Sequence, residues 1–307
     1  MKILTSIQRI LFFIPCCFLS ANAPLYSEDL PFCMRAFSLT KKEVDAFTEK
    51  GFLVCRGLID PDRVYSLHLR AEALIERIEP KLDPKNLDER MRYLGASVKK
   101  HRLSDTPAIL LISWIGGADQ LFLDAGRTPE ILIKVAQLLG RNTGGSLSVD
   151  HLINQLHIKK PGDGVYFPLH QDIENRMAFD PKWRDLNGRG SFVQTLLAID
   201  PHQEDNGPLI VYPFIKKPKT YGLSSLSDEK KRALVNDLVE KGEIGKPIKV
   251  LLEPGDVLFF HPLLVHSSEK NTSSISRKAL INGFSFPGAN KASYPGDGSC
   301  EHLVIEN

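Results

Sequence analysis

The residues best suited to chemistry in this chain are two histidines and an aspartate that can share one metal ion. His170-Gln171-Asp172 places an imidazole and a carboxylate two positions apart, and on an extended strand such residues point to the same face. His266 supplies a second imidazole after residues 258–265. Two histidines and one carboxylate on one face of an octahedron leave three positions for a chelating keto acid and dioxygen, the arrangement that iron(II) oxygenases use.

A cation and a hydroxyl follow the second histidine at a spacing that suits a keto-acid cosubstrate. Arg277 opens a strand candidate that covers residues 277–284. A hairpin loop after His266 would return the Arg277 side chain to the metal strand, where its guanidinium offers two parallel N–H donors to a carboxylate. Ser268 would add a hydroxyl donor on the face of His266 if that strand continues.

The elements that must hold these side chains change character along the chain. Thr40 with Glu43, Asp60-Pro61 and Thr128-Pro129 are typical of helix starts, whereas residues 81–105 are predicted to form a loop. From about residue 147 short strands are predicted, with one helix inserted over residues 228–240. The strand candidates are residues 152–158, 192–199, 209–212, 248–252, 257–260 and 279–286. The pattern predicts an α+β fold with a mainly β core, a double-stranded β-helix (jelly roll, cupin-like) with supporting N-terminal helices.

Three sequence segments resemble one known family. His170-Gln171-Asp172, the run over residues 255–266 and Arg277-Lys278-Ala279 resemble the phytanoyl-CoA dioxygenase family, and the likeness spans roughly residues 38–287. The resemblance implies an enzyme that uses Fe(II), 2-oxoglutarate and O2, with ascorbate as a supporting reductant, and hydroxylates an aliphatic C–H with release of succinate and CO2. It implies iron ligands at His170, Asp172 and His266, and cosubstrate contacts at Gln171, Ser268 and Arg277. It also suggests an acyl substrate such as an acyl-CoA, beside small molecules in general.

The chain departs from the family pattern at two places near the cosubstrate. Thr195-Leu196-Leu197 stands where the family often carries a tryptophan, and no upstream lysine can be assigned near Ser113. Lys159 is therefore the candidate for a second cosubstrate cation. Because halogenases of this scaffold carry a small residue at the carboxylate position, the presence of Asp172 favours hydroxylation.

Composition limits the classes of partner but does not identify a function. The 307 residues carry a net charge of +2, with 42% apolar and 25% charged residues, so no nucleic-acid partner is expected. Cys33, Cys55 and Cys300 are scattered after the N-terminal segment, and this spacing predicts no disulfide framework. Oligomeric state cannot be predicted from these numbers.

The N-terminal segment resembles a targeting signal. Lys2 and Arg9 precede an apolar run over residues 10–19, and Ala21-Asn22-Ala23 follows it, an order typical of a secretory signal peptide. The run is too short for a stable membrane span. Residues 1–33 are therefore predicted to be a signal peptide or extension and residues 34–307 the oxygenase domain. Cleavage would mean export, whereas an uncleaved extension or a start at Met34 would mean a cytoplasmic protein.

Two alternative functions stay open on sequence alone. One is a non-catalytic jelly-roll binding protein, and the other is a cupin-type metalloenzyme that does not use 2-oxoglutarate, in which Arg277 has no task. Among the other histidines, His151, His157, His202 and His261 are expected to be ordinary strand or loop residues. The segment over residues 176–189 is predicted to form an active-site lid because it follows Asp172 directly.

Overall fold

Two β-sheets, one of ten strands and one of four, form the framework of the protein. The structure is a computed structural model that describes residues 31–33, 37–82, 91–101, 108–140, 147–177, 192–286 and 301–305. The strands are β1 (Phe32–Cys33), β2 (Phe52–Cys55), β3 (Met91–Tyr93), β4 (Ala96–His101), β5 (Ala108–Ser113), β6 (Leu147–Lys159), β7 (Phe167–His170), β8 (Phe192–Ala198), β9 (Leu209–Tyr212), β10 (Ile248–Val250), β11 (Val257–Phe260), β12 (Val265–Ser268), β13 (Arg277–Ser285) and β14 (Glu301–Ile305). The helices are α1 (Lys41–Lys50), α2 (Pro61–Ile78), α3 (Gln120–Gly126), α4 (Pro129–Leu138), α5 (Asp172–Met177) and α6 (Asp228–Glu240).

The strand order is that of a double-stranded β-helix. The large sheet runs β1-β2-β11-β8-β13-β6-β5-β4-β3, with β14 also paired to β6, and the small sheet runs β10-β9-β12-β7. Leu196 and Ile281 of the large sheet share one apolar cluster with Val211 and Val250 of the small sheet. The two sheets therefore enclose a common interior, and the predicted fold class is confirmed.

Alternation along the strands of the large sheet separates this interior from a second core. Residues between the interior ones, such as Leu197 and Leu280, pack in another cluster with Leu67 of α2 and Val135 of α4. The outer face of the sheet is thus covered by the N-terminal helices, as the sequence predicts. No helix in the described part of the chain is long and apolar enough to span a membrane.

Local sequence signals explain where several elements begin. Thr40 and Glu43 form a complete capping box at the start of α1, and Asp60 caps α2 with Pro61 in its first turn. The predicted helix over residues 228–240 is found with the same bounds as α6. These signals are reliable because each satisfies backbone N–H groups that the helix itself leaves unpaired.

The prediction of a loop over residues 81–105 is wrong at residues 91–93 and 96–101, which form strands. Strands β3 and β4 pair there as a hairpin, with Tyr93 opposite Ala96. Leu94 and Gly95 between them both have positive φ, 47° and 85°, as a two-residue hairpin turn requires. The Leu-Gly pair is not one of the common turn signals, and polar strand residues hid the pattern.

The expectation of no disulfide framework among the scattered cysteines missed one bridge. Cys33 and Cys55 are bridged, with their Cα atoms 4.6 Å apart. Sequence spacing did not reveal the pair because β1 joins the sheet parallel to β2 and places Cys33 directly opposite Cys55. Phe32 and Cys33, assigned to the extension by sequence, therefore pair with the large sheet. Residues 1–30, which include the predicted targeting signal, lie outside the described residues, as do residues 178–189 of the predicted lid.

Candidate metal centre

The structure brings the three predicted metal ligands together at one end of the interior. One ligand atom each from His170, Asp172 and His266 lies within 4.8 Å of the other two. Nε2 of His170 is 3.6 Å from one carboxylate oxygen of Asp172, and Nε2 of His266 is 3.6 Å from the other. An ion about 2.1 Å from each ligand atom, at right angles, would set such distances to about 3 Å, so small adjustments complete the site.

The convergence of His170 and Asp172 has a different origin from the predicted one. His170 is the last residue of β7, Gln171 is irregular, and Asp172 is the first residue of α5. The two side chains therefore meet at a strand-to-helix junction and do not share the face of one strand. His266 lies opposite His170 in the antiparallel pair of β12 and β7, which brings the two imidazole rings to 4.1 Å between centroids.

Backbone contacts fix the tautomer of both histidines. Nδ1 of His170 is 2.7 Å from the carbonyl oxygen of Pro168, and Nδ1 of His266 is 2.9 Å from that of Leu264. A carbonyl only accepts, so each Nδ1 carries the proton and each Nε2 presents its lone pair. Both ligand nitrogens are thus prepared for a metal before it binds.

The charges of the triad suit a divalent cation. Burial favours the neutral acid of Asp172, but the neighbouring His266 and His170 hold the pKa of this carboxyl well below its usual range. Burial, together with the charge of His170, lowers the pKa of His266 to about 4. Burial opposes the charged form of His170 as well, yet the hydrogen bond and charge of Asp172 raise its pKa. One anion shared by two imidazoles is a donor set that fits iron(II).

Gln194 is a site residue that the sequence did not reveal. Its Nε2 donates a short hydrogen bond to the Asp172 carboxylate oxygen that also faces His266. Its Oε1 is buried and has no hydrogen-bond partner among the described residues. Gln194 lies 22 positions after Asp172, on β8 of the large sheet, so no motif joins them. Such contacts orient a ligating carboxylate.

The second half of the site is formed by Arg277 at the start of β13. Its side chain is only 2% exposed, and its Nε has no hydrogen-bond partner within the described part of the chain. Burial lowers the pKa of this guanidinium to about 10, so it stays charged near neutral pH. A buried guanidinium with unfilled donors fits a carboxylate ligand.

Arg277 reaches the site by a route other than the predicted hairpin. Strand β12, which carries His266, belongs to the small sheet, whereas β13 pairs with β6 and β8 in the large sheet. The intervening residues cross from one sheet to the other. Arg277 and His266 therefore face each other across the interior and are not neighbours on one sheet.

Lys159 and Ser268 form a linked pair beside Arg277. Lys159 lies directly opposite Arg277 in the pairing of β6 with β13, and it is fully buried. Its Nζ donates to Ser268 Oγ at 2.8 Å and to the carbonyls of Gly207 and Glu269. Burial, together with the charge of Arg277, lowers the pKa of Lys159 to about 6. The charge of Arg277 thus disfavours a second cation at Lys159, and an anion bound at this end of the interior would relieve that repulsion.

His157 lies between the metal-ligand triad and the end of the interior that carries Arg277 and Lys159. Its pKa falls to about 3 because of burial first and then the charge of Arg277, while Asp172 and His170 also act on it. Its ring stacks on Phe167 of β7 with centroids 4.9 Å apart. His157 therefore lies between the triad and the cationic end.

Gln171 has partners that differ from the predicted cosubstrate contact. Its Nε2 donates to the carbonyls of Lys219 and Leu263, at 2.9 and 2.5 Å, and its Oε1 accepts from the backbone N–H of Tyr221 at 2.8 Å. The fully buried amide is thus occupied by backbone groups. Gln171 holds the segment around Lys219 against the metal-binding junction.

Comparison with known sequences shows which protein family this chain matches. The model of the phytanoyl-CoA dioxygenase family matches residues 47–279. The chain belongs to this family. Peroxisomal phytanoyl-CoA dioxygenase of Mus musculus is 27% identical over 274 residues, which cover 85% of this chain and 73% of that protein. The Bos taurus enzyme is 24% identical over 278 residues, with 85% and 69% covered.

Solved structures agree with the fold of the family. EctD from S. alaskensis with bound Fe has a TM-score of 0.62 at 18% identity, and the match covers 88% of this chain and 82% of that one. AviO1 from Streptomyces viridochromogenes Tue57 has a TM-score of 0.56 at 20% identity, with 81% and 96% covered. These likenesses support the double-stranded β-helix. Family membership and the His170–Asp172–His266 cluster make the chain a 2-oxoglutarate-dependent dioxygenase with iron(II) as its metal.

Proposed function

We propose that this dioxygenase hydroxylates an aliphatic C–H bond of a small-molecule or acyl substrate, with release of succinate and CO2. The observation that carries the proposal is a three-ligand metal cluster that shares one buried space with Arg277, a guanidinium whose Nε has no partner among the described residues. Iron(II) and 2-oxoglutarate, when bound, supply the oxidising chemistry for such a hydroxylation. The side chains of this protein supply binding, orientation and a dry environment.

His170, Asp172 and His266 would hold the metal. The two Nε2 lone pairs are already oriented by the Pro168 and Leu264 carbonyls, and Gln194 restrains the carboxylate. The three ligands come from two segments joined by the pairing of β7 with β12, and Gln194 reaches Asp172 from the large sheet, so the site stays rigid only while these elements are assembled. Preorganisation of this kind lowers the cost of placing the reacting groups.

Arg277 and Ser268 would bind the distal carboxylate of 2-oxoglutarate. The guanidinium offers two parallel donors to the two carboxylate oxygens. Ser268 Oγ accepts from Lys159, so the hydroxyl proton of Ser268 is directed elsewhere and can be donated to the carboxylate. Lys159 thus acts behind Ser268 and adds positive charge to this end.

Apolar side chains line much of the remaining interior. Leu196, Phe260 and Ile281 belong to the enclosed cluster, and Phe260 meets the ring of His266 edge-on at 5.3 Å. Such a lining excludes water and accepts an aliphatic chain.

An acyl-CoA-like substrate finds some support outside the barrel. Gln171 holds the backbone of Lys219 beside the metal site, and Lys216 and Lys219 share the single carboxylate of Glu243. The surplus positive charge there suits an anionic group on the substrate.

The decisive experiment compares an inner carboxylate with an exposed one. The full chain and its Asp172→Ala and Asp237→Ala variants are assayed for succinate release with Fe(II), 2-oxoglutarate and ascorbate, with and without acyl-CoA, amino-acid and lipid pools. We expect loss of iron-dependent succinate with Asp172→Ala and parental rates with Asp237→Ala, since Asp237 lies on the exposed side of α6 and pairs with Lys241. Iron-dependent turnover in Asp172→Ala would refute the ligand assignment.

A cosubstrate-independent metalloenzyme is the alternative that the same assay distinguishes. In that case Arg277 has no ligand, and Arg277→Ala would keep full activity with oxygen alone. A non-catalytic binding protein would release no succinate under any condition while still binding metal.

We further propose that the protein matures in an oxidising compartment. The Cys33–Cys55 bridge supports export, because disulfides persist mainly outside the reducing cytosol. Translation from Met34 would remove Cys33 altogether. Intact mass and N-terminal sequencing of the protein from its native host, without reductant, test both points. Free thiols at both cysteines together with an uncleaved N-terminus would contradict the proposal.

A further inference from the structure

His202 is a buried histidine whose ring has no assigned task. It follows β8, is 2% exposed, and its backbone pairs with Leu252 through bonds of 2.8 and 3.2 Å. Neither Nδ1 nor Nε2 has a hydrogen-bond partner among the residues that the structure describes. A buried polar ring without partners destabilises a fold, because its hydrogen bonds to water are lost without replacement. A leucine or methionine would fill such a place at lower cost.

The loop that carries His202 lies across the start of β13. The backbone N–H groups of Ile199 and Asp200 both donate to the carbonyl of Lys278, at 3.1 and 3.2 Å. The same carbonyl lies near enough to the His202 ring to favour its charged form. The segment that carries His202 is therefore held against Lys278, the second residue of β13.

The surrounding charges place the ring at the cationic end of the interior. Burial and then the positive charges of Arg277 and Lys159 hold the pKa of His202 well below its ordinary value. The ring is neutral at physiological pH and offers one N–H donor and one acceptor. A neutral donor suits this end, since a further cation would be repelled by the charge of Arg277.

We propose that His202 is a further cosubstrate-binding residue, which donates its ring N–H to the distal carboxylate of 2-oxoglutarate beside Arg277. The inference rests on the proposed function. A carboxylate has about four acceptor positions, and a guanidinium fork fills two of them. The hydroxyl of Ser268 and the ring of His202 supply donors for the remaining two. Binding thus satisfies the unfilled donors of Arg277 and His202 at once.

The test measures 2-oxoglutarate binding on the full-length protein loaded with zinc(II), which keeps the metal site filled and prevents turnover. Titration calorimetry compares the parent with His202→Leu, His202→Gln and Thr195→Val. Thr195 is the matched control, because its buried Oγ1 also has no partner among the described residues but lies on the other face of β8. We expect about a tenfold weaker affinity for His202→Leu, recovery with His202→Gln, and no change for Thr195→Val.

A second measurement uses the parental protein, so its result does not depend on whether the variants fold correctly. Ring nitrogens labelled with ¹⁵N are followed by NMR in the zinc(II) form, with His202→Gln used to assign the His202 signals. Addition of 2-oxoglutarate should shift the N–H signal of His202 to that of a strong hydrogen bond. The inference is overturned if that signal does not move, or if His202→Leu binds 2-oxoglutarate as tightly as the parent. Failure of the proposed function would give a different result: Arg277→Met would then bind 2-oxoglutarate as tightly as the parent, or the parent itself would not bind it.

Discussion

Arg277 and Lys278 are consecutive buried cations on β13, and their surroundings differ completely. Lys278 is 1% exposed and points to the outer face, where its Nζ contacts Glu72 of α2 and lies 2.8 Å from Asp200. Asp200 also accepts from the Lys278 backbone N–H and pairs with His68. Arg277 is 2% exposed and points to the interior, where its Nε finds no acceptor among the described residues.

The difference separates a charge that supports the fold from one that serves a ligand. Buried charges are costly unless paired, and the pairs of Lys278 offset its desolvation inside the protein itself. Arg277 faces its cross-strand neighbour Lys159, and its charge disfavours protonation of that lysine. The carboxylate of bound 2-oxoglutarate would supply the anionic partner that Arg277 lacks. The desolvation of the guanidinium is therefore offset only when the cosubstrate is bound.

The same substitution at both positions tests whether the two charges have different roles. Arg277→Met should weaken 2-oxoglutarate binding on the order of 100-fold, because a buried carboxylate loses its charged partner. Its melting temperature should stay level or rise, since an unpaired buried charge is removed. Calorimetric titration and thermal unfolding measure the two effects. Binding at parental affinity would mean that Arg277 serves the fold alone.

Lys278→Met should give the opposite pattern. Loss of the ammonium leaves buried Asp200 with only His68 and the backbone N–H as partners, which should lower the free energy of unfolding by about 2 kcal/mol, a discounted value because these partners remain and Glu72 is partly exposed. Affinity for 2-oxoglutarate should remain within about threefold of the parent, since Lys278 lies outside the interior. Urea unfolding and the same titration provide the check. A variant that loses affinity without losing stability would contradict the division between the two faces.

A smaller effect, on metal affinity, is expected from a change beside the metal ligand Asp172. Gln194→Met removes the hydrogen bond to Asp172 while keeping the volume of the side chain. Metal affinity should fall about tenfold, because the carboxylate is then free to rotate. Manganese(II) binding followed by paramagnetic resonance measures this, with Thr195→Val as the control from the other face of β8. Unchanged metal affinity would show that the triad is positioned without Gln194.

The smallest expected effect is a change in the protonation of Lys159 when 2-oxoglutarate binds. The pKa of Lys159, lowered to about 6 by burial and Arg277, lies below the value of about 10.4 in an unfolded chain. Between these values the unfolded state binds more protons, so the ligand-free protein should gain stability from Lys159 as pH rises through this window. Binding of an anion should raise the pKa of Lys159 again and take up as much as about one proton at pH 8.

Calorimetry in buffers of different ionisation enthalpy counts that proton. Arg277, Asp163 and Glu269 also act on Lys159, but the pKa of Arg277, about 10, leaves it charged at pH 8. His157, with a pKa of about 3, stays neutral there. Lys159→Met should abolish the uptake, and equal uptake in parent and variant would assign the proton to another group.

Residue types and short-range patterns predicted much of the fold and the metal ligands. The capping box at Thr40, the bounds of α6 and the strands β9 and β11 follow from local backbone chemistry. The hairpin of β3 and β4 was missed because its Leu94-Gly95 turn carries no strong signal. Motif resemblance identified His170, Asp172, His266 and Arg277 as a set.

The sequence by itself determined which groups are available: two imidazoles, a carboxylate, a guanidinium and the elements that carry them. Tertiary structure alone decided how they meet, with His170 and Asp172 at a strand-to-helix junction, Arg277 arriving from the opposite sheet, and Cys33 paired with Cys55 across parallel strands. It also decided which polar groups keep their partners, as Lys278 does, and which do not, as with the ring of His202. The physical reason is that burial and pairing depend on strands that are distant in sequence, and no local pattern encodes the register between them.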